Sequence, residues 1–196
     1  QFIAPALIAI NIMNNAFYEN TYGSYVRMYY QKTFEGMMAT PLTVAEIIAG
    51  EIVWGAFKAV LATILMVVVI SFFGLIRYPE GLLLIPIAFL GGLFFASLGR
   101  CLTSIVPHIE LFNIPFFLFI TPMYLFGGTF FPLQNLPLWV QQVASFLPLT
   151  HLVHLCRAFA GGHMESAWAG SLFYILCLTP VLFLLAIWGM HRRLIK

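Results

Sequence analysis

Aspartate is absent from all 196 residues, and charge of either sign is scarce. Only 8% of positions are charged, against about 25% in an ordinary soluble domain. The missing Asp excludes a phosphorylated aspartate, an Asp-based Mg²⁺ site and an aspartyl dyad. No lysine follows a glycine, so there is no Walker A loop to cradle a nucleotide phosphate, and the chain is not expected to hydrolyse ATP by itself. Cys101, Cys156 and Cys177 are few, odd in number and without CxxC spacing, which fits packing residues rather than a metal or disulfide framework. A net charge of +2 with no basic stripe gives no reason to expect a nucleic-acid partner. No Gly/Ser-rich linker, low-complexity tract or internal repeat divides residues 1–196, so one domain is expected.

What remains is apolar. Hydrophobic residues make up 62% of the chain and the mean hydropathy is +0.97. A hydrocarbon core of about 30 Å needs about 20 apolar residues per helix, and five stretches approach or reach that length: 2–18, 46–75, 81–105, 111–131 and 167–190. They are apolar on all sides and too long for the alternating strands of a membrane barrel. The expected fold is therefore an all-α, polytopic membrane bundle. The first stretch is short, is interrupted by Asn11, Asn14 and Asn15, and opens at Gln1 without an initiator Met or a basic flank. It reads as a cut edge rather than a signal peptide, with the native protein expected to begin upstream.

Short basic loops stay cytoplasmic. Threading the 27–43 connection inside places Arg27, Lys32, Arg100, Arg192, Arg193 and Lys196 there and leaves Arg77 and Arg157 outside. In that connection Thr33 is expected to cap a short helix with Glu35 in its first turn, and Pro41 to stop it. Thr43-Val44-Ala45-Glu46 reads as a capping box opening the next long helix. Phe34, Met37 and Met38 fall at helical spacing, an apolar face that lies on the bundle or the lipid interface, or that docks a cytosolic partner. Outside, 132–165 is too long for a turn and too broken for a span. Pro132, Pro137 and Pro148 partition it, and Leu136, Trp139, Val140, Val143, Phe146 and Leu147 recur at helical spacing. Short amphipathic or re-entrant helices are expected, with Trp139 at headgroup depth.

Three constellations invite chemistry. His151, His154 and Arg157 stack along one helical edge with His163 and Glu165 beyond, which points either to a metal or catalytic site or to the polar edge of an interfacial helix. Ser97 lacks the Gly-x-Ser-x-Gly frame of a hydrolase and suits a small packing residue. Glu51 and Lys58 are seven apart, on one helix face but roughly 10 Å apart along the axis, too far for a direct pair. An intramembrane Lys costs about 2.5–3.5 kcal/mol on insertion scales. Lys58 should therefore face a wet pathway as a proton relay, or face the bundle and be satisfied by carbonyls, Asn or Thr. Arg100, at the inner end of its span, is expected to snorkel to the cytosol as an anchor charge.

Thr33-Phe34-Glu35-Gly36-Met37-Met38-Ala39-Thr40-Pro41-Leu42, followed by Gly50-Glu51, resembles the cytoplasmic corner of type-2 ABC exporter (ABC-2) permeases. Phe126-Gly127-Gly128-Thr129-Phe130-Phe131-Pro132-Leu133 and the later Leu147-Pro148-Leu149-Thr150-His151 look like the fifth helix and outer re-entrant region of the same family. With Trp54 and Lys58, the pattern is similar to the nodulation-factor and lipooligosaccharide exporter permeases, the NodJ-like group. Met37-Met38 replaces the leucines common in that family. The resemblance implies a six-helix protomer in the bacterial inner membrane, its first helix lying before Gln1. It also implies a permease homodimer that recruits a cytosolic ABC ATPase, with ATP and Mg held by that subunit and no cofactor or metal by this chain. Residues 33–41 would be the coupling element, and membrane lipid and an amphiphilic substrate the remaining partners. An ion-driven secondary transporter using Glu51 and Lys58 is the alternative, and an intramembrane metalloenzyme on His151 and His154 a third reading.

Overall fold

The computed structural model describes residues 3–76, 78–130, 137–161 and 167–194, and among these no strand occurs. Helices dominate because a backbone in hydrocarbon must satisfy its own hydrogen bonds. Helix α1 (Ile3–Tyr18) does not end where its apolar run ends. It continues through wide π-helical turns at Glu19–Gly23 and Val26–Tyr30. Asn20 and Thr21 bond back to the carbonyls of Ala16 (3.3 Å) and Phe17 (2.8 Å), competing with the regular ladder there. Neighbouring helices close on this wide turn through Gly55 and Gly99. A Cβ at Gly55 would lie 2.0 Å from the Asn20 amide nitrogen, and one at Gly99 3.1 Å from the Phe17 carbonyl oxygen.

After α2 (Thr33–Met38) comes α3 (Val44–Phe72), whose 29 residues span about 43 Å. A 3₁₀ turn (Glu80–Leu83) leads into α4 (Leu84–Ile105), the central element, which packs on α1 and α3. The expected span over 111–131 is found as one helical rod, Ile109–Phe126, whose winding changes along its length. It comprises a 3₁₀ turn (Ile109–Phe112), α5 (Asn113–Pro115), a π segment (Phe116–Ile120) and α6 (Thr121–Phe126). Pro115 and Pro122 each withdraw a backbone donor, which accounts for the shifts in register. The rod ends at Gly127, whose N–H meets the Met123 carbonyl at 2.8 Å.

The next two helices, α7 (Leu138–Phe146) and α8 (Pro148–Gly161), meet at 88°. The last, α9 (Ala167–Leu194), packs on α4, α8 and α3. Helix α7 is amphipathic, with Val140 and Ala144 buried and Leu138, Trp139, Val143 and Phe146 exposed. Of the expected amphipathic or re-entrant helices, α7 fits the first description and α8 turns inward as a re-entrant or broken segment does, so only the interfacial reading of the His151 helix fails. Leu149, Leu152, Val153, Leu155 and Cys156 are buried because the helix enters the bundle and packs on α1 and α9.

Among the described residues four stretches are long and apolar enough to cross a membrane: Val44–Phe72, Glu80–Ile105, Ile109–Phe126 and Trp168–Leu194. The bent α7–α8 pair makes a fifth if it counts as one span. Only 17–56% of each apolar window is buried among the described residues, which leaves wide apolar faces for lipid or further protein to cover. Cys101 is half-buried and Cys156 buried, but Cys177 lies on the outside of α9 and does not pack in the core.

Candidate functional site

Five charged side chains from three elements converge beside the wide turn of α1. Arg27 Nη1 lies 2.6 Å from Glu19 Oε1, and Arg27 Nη2 lies 2.7 Å from Glu51 Oε2. Lys58 Nζ donates to Glu19 Oε2 at 2.7 Å, and Arg100 Nη2 reaches Glu51 Oε2 at 2.9 Å. The chain Lys58–Glu19–Arg27–Glu51–Arg100 therefore ties α1, α3 and α4 together. Arg100 is fully buried, donating also to Asn20 Oδ1 (3.3 Å) and to Ser24 Oγ, while its Nε has no hydrogen-bond partner.

This corrects two sequence expectations. Arg100 does not snorkel: it sits at the centre of the bundle because Glu51 is there to pair with it. Lys58 is held by a carboxylate rather than by carbonyls, Asn or Thr. Glu51 and Lys58 make no direct pair, in keeping with their spacing, but Glu19 and Arg27 bridge them. The missed partners left a trace in the Glu19–Gly23–Arg27 spacing of four, which places one polar stripe on a continuing helix. Beside the cluster, Asn14, Asn15, Tyr18, Glu19 and Lys58 line a polar pocket of about 330 Å³.

The cluster also supports α2. Phe34, 1% exposed, inserts beneath it with its ring centroid 5.8 Å from Arg100 Cζ. Thr33 is not the cap. Lys32 occupies that position with a left-handed backbone (φ 54°), its carbonyl accepting from the N–H groups of Glu35 (3.1 Å) and Gly36 (3.3 Å). Nor does Pro41 stop the helix directly. Helix α2 ends at Met38, and a turn over Ala39, Thr40 and Pro41 follows, closed by Thr40 Oγ1 donating to the Met37 carbonyl at 2.6 Å. The apolar face is split: Phe34 is inside, Met37 is half-buried, and Glu35, Gly36 and Met38 are exposed together with residues 39–42. The capping box of α3 is present, with Glu46 N–H on Thr43 Oγ1 at 3.3 Å and Thr43 N–H on Glu46 Oε2 at 2.7 Å.

At the opposite end of the bundle, the Gly128 carbonyl accepts from Arg157 Nη2 at 2.6 Å, and Thr129 Oγ1 bonds the Tyr124 carbonyl at 2.6 Å. The Pro137 carbonyl accepts the N–H groups of Val140 and Gln141, and Pro148 opens α8, where a missing donor costs nothing. Pro132, Leu136, His163, Glu165, Arg77 and Lys196 lie outside the described residues.

His151 engages both ring nitrogens, one 3.2 Å from Ser171 Oγ and the other 2.9 Å from the Ser145 carbonyl, and stacks on Tyr174 at 4.1 Å. It thus joins α7 to α9 instead of presenting a nitrogen to a ligand. Among the described residues no three His, Cys, Asp or Glu side chains come together in a way that could hold a metal. Ser97 is buried, bonded to the Leu93 carbonyl at 2.7 Å.

Residues 1–159 match the family model described as ABC-2 type transporter. Nodulation protein J of Rhizobium leguminosarum bv. viciae is 38% identical over 80% of this chain and 60% of its own length. Nodulation protein J of Sinorhizobium fredii is 32% identical over 100% of this chain and 74% of its own. The inner membrane transport permease YadH of Escherichia coli is 26% identical over 98% of the chain and 75% of its own length. The chain thus spans about three-fifths to three-quarters of the length of these relatives. No solved structure matches it. With four-fifths of its length covered by the family model and its apolar helices arranged as a bundle, the chain belongs to the ABC-2 type transporter family and is a multi-pass membrane protein.

Proposed function

We propose that the chain is the membrane-embedded part of a permease subunit in the bacterial inner membrane, exporting an amphiphilic substrate with energy from a separate cytosolic ABC ATPase. A lipid-linked or acylated oligosaccharide is the cargo class this reading favours, and two copies form the working permease. The observation that carries it is the mounting of α2. One side is pinned by Phe34 against the buried Arg100, the other side presents Glu35, Gly36 and Met38, and a short turn joins it to the capped start of α3.

A short helix fixed in this way behaves as a lever. Force applied to its exposed side passes through the Thr40-Pro41 turn into α3, and through Phe34 into the charge cluster that joins α1, α3 and α4. A partner drives transport only if it distinguishes two states of the bundle, and this linkage gives it three helices to act on. The polar pocket lined by Asn14, Asn15 and Lys58 supports passage of a hydrogen-bonding headgroup along the bundle, while the exposed apolar helix faces suit the lipid tail.

The test is Met38→Glu in the full-length permease expressed with its ATPase. Co-purification of the ATPase should fall at least severalfold, or substrate-stimulated hydrolysis should collapse towards the basal rate, with the unfolding midpoint unchanged. Retention of both, together with export, overturns the coupling role of α2.

A further inference from the structure

At the α2 end of the bundle, where α4 and α9 finish side by side, the protein surface holds a groove of about 770 Å³. Its walls are apolar, formed by Ile105, Leu182 and Leu185, with Trp188 alongside and Arg192 and Arg193 also lining it; among the described residues no acidic side chain does. The two guanidiniums are placed differently. Arg193 is anchored: its Nε donates to the Tyr29 hydroxyl at 3.0 Å, one Nη donates to the Thr103 carbonyl, and its Cζ lies 5.3 Å from the Tyr29 ring centroid. Arg192 lies over Trp188, 4.0 Å from the ring centroid, and has no carboxylate partner among the described residues. Every described ion pair belongs instead to the Glu19–Glu51 cluster.

Two positive charges without a carboxylate partner among the described residues therefore border an apolar groove at the end of a membrane helix. Water fills such a groove poorly, and an apolar protein segment would leave the charges uncompensated. An acyl chain ending in a negatively charged phosphate satisfies both halves. We propose that this groove binds one anionic diacyl phospholipid from the leaflet on the α2 side. A chain lies along Leu182 and Leu185, and the phosphate sits between Arg192 and Arg193. Only the naming of that leaflet as the inner one rests on the proposed function. The binding test uses no ATPase readout, so the two can fail separately.

The experiment uses the full-length protein with Trp188 as its sole tryptophan, reconstituted in phosphatidylcholine vesicles containing graded amounts of brominated lipid. Brominated phosphatidylglycerol should quench Trp188 at a severalfold lower mole fraction than brominated phosphatidylcholine. Arg192→Gln should bring the two lipids within about twofold, while Lys32→Gln, which removes a cation at the same end but outside the groove, should leave the preference intact. Equal quenching by both lipids overturns the proposal. So does a preference that survives Arg192→Gln or falls as much with Lys32→Gln, since either marks diffuse surface attraction. Native mass spectrometry of the protein with all its tryptophans gives a second reading. A phosphatidylglycerol adduct should persist at higher collision energy than a phosphatidylcholine adduct and lose that advantage in Arg192→Gln; its absence in the parent protein counts against the site.

Discussion

A guanidinium with no solvent exposure is tolerable only where a carboxylate and further acceptors surround it, and Arg100 has Glu51, Asn20 and Ser24. Removing the carboxylate strands Arg100 in the bundle, a change worth about 3–5 kcal/mol in buried pairs. Glu51→Gln should therefore cost that much stability in a denaturant titration of the detergent-solubilised protein. Lys58 sits at the rim with its side chain 40% exposed, so after solvent screening Lys58→Met should cost less than about 1 kcal/mol. Equal losses would show that the cluster does not have the buried centre and wet edge described here. The membrane cost of charge was legible in Lys58 and Glu51 from hydropathy alone. Their partners were not, because Arg27–Glu51, Lys58–Glu19 and Arg100–Glu51 join residues 24, 39 and 49 positions apart, and a charge beside an apolar run ordinarily marks the edge of the membrane.

Local chemistry was read best at the α2–α3 corner. The Thr43-x-x-Glu46 box is a contact within one turn and formed as its spacing requires, so Thr43→Ala should lower stability by about 1 kcal/mol, measured by the same titration. Phe34 is a different case. Its helical spacing marked it as apolar but not as inward-facing, since that depends on Arg100 lying above it. Phe34→Ala should cost about 3–5 kcal/mol and weaken ATPase coupling along with stability, whereas Met38→Glu should weaken coupling alone. The rod over Ile109–Phe126 was legible as a span but its changes of winding were not, because an apolar run records hydropathy, while Pro115 and Pro122 act on the backbone ladder. For α8, an amphipathic pattern with polar His151, His154 and Arg157 suggested an interface, yet the opposite face found a home between α1 and α9.

For the whole molecule, α2 and the ends of α4 and α9 share one side of the bundle, linked by Tyr25 to the Pro107 carbonyl at 2.7 Å and by Arg193 to Tyr29. Helix α7 and the 3₁₀ turn before α4 lie at the other. With Arg27 and Arg100 assigned to the buried cluster, the basic residues still favour the α2 side as cytoplasmic through Lys32, Arg192 and Arg193, though less heavily than the raw count. A cysteine at Lys32 should react with a membrane-impermeant maleimide only in inside-out vesicles, and one at Leu138 only in right-side-out vesicles; the reverse pattern inverts the topology. The most direct measurement of the central claim is site-specific photocrosslinking in membranes that contain the ATPase subunit. A crosslinker at Gly36 or Met38 should capture that subunit and one at Phe146, at the far end, should not. ATPase captured at Phe146, or none at Gly36 and Met38, would contradict the account.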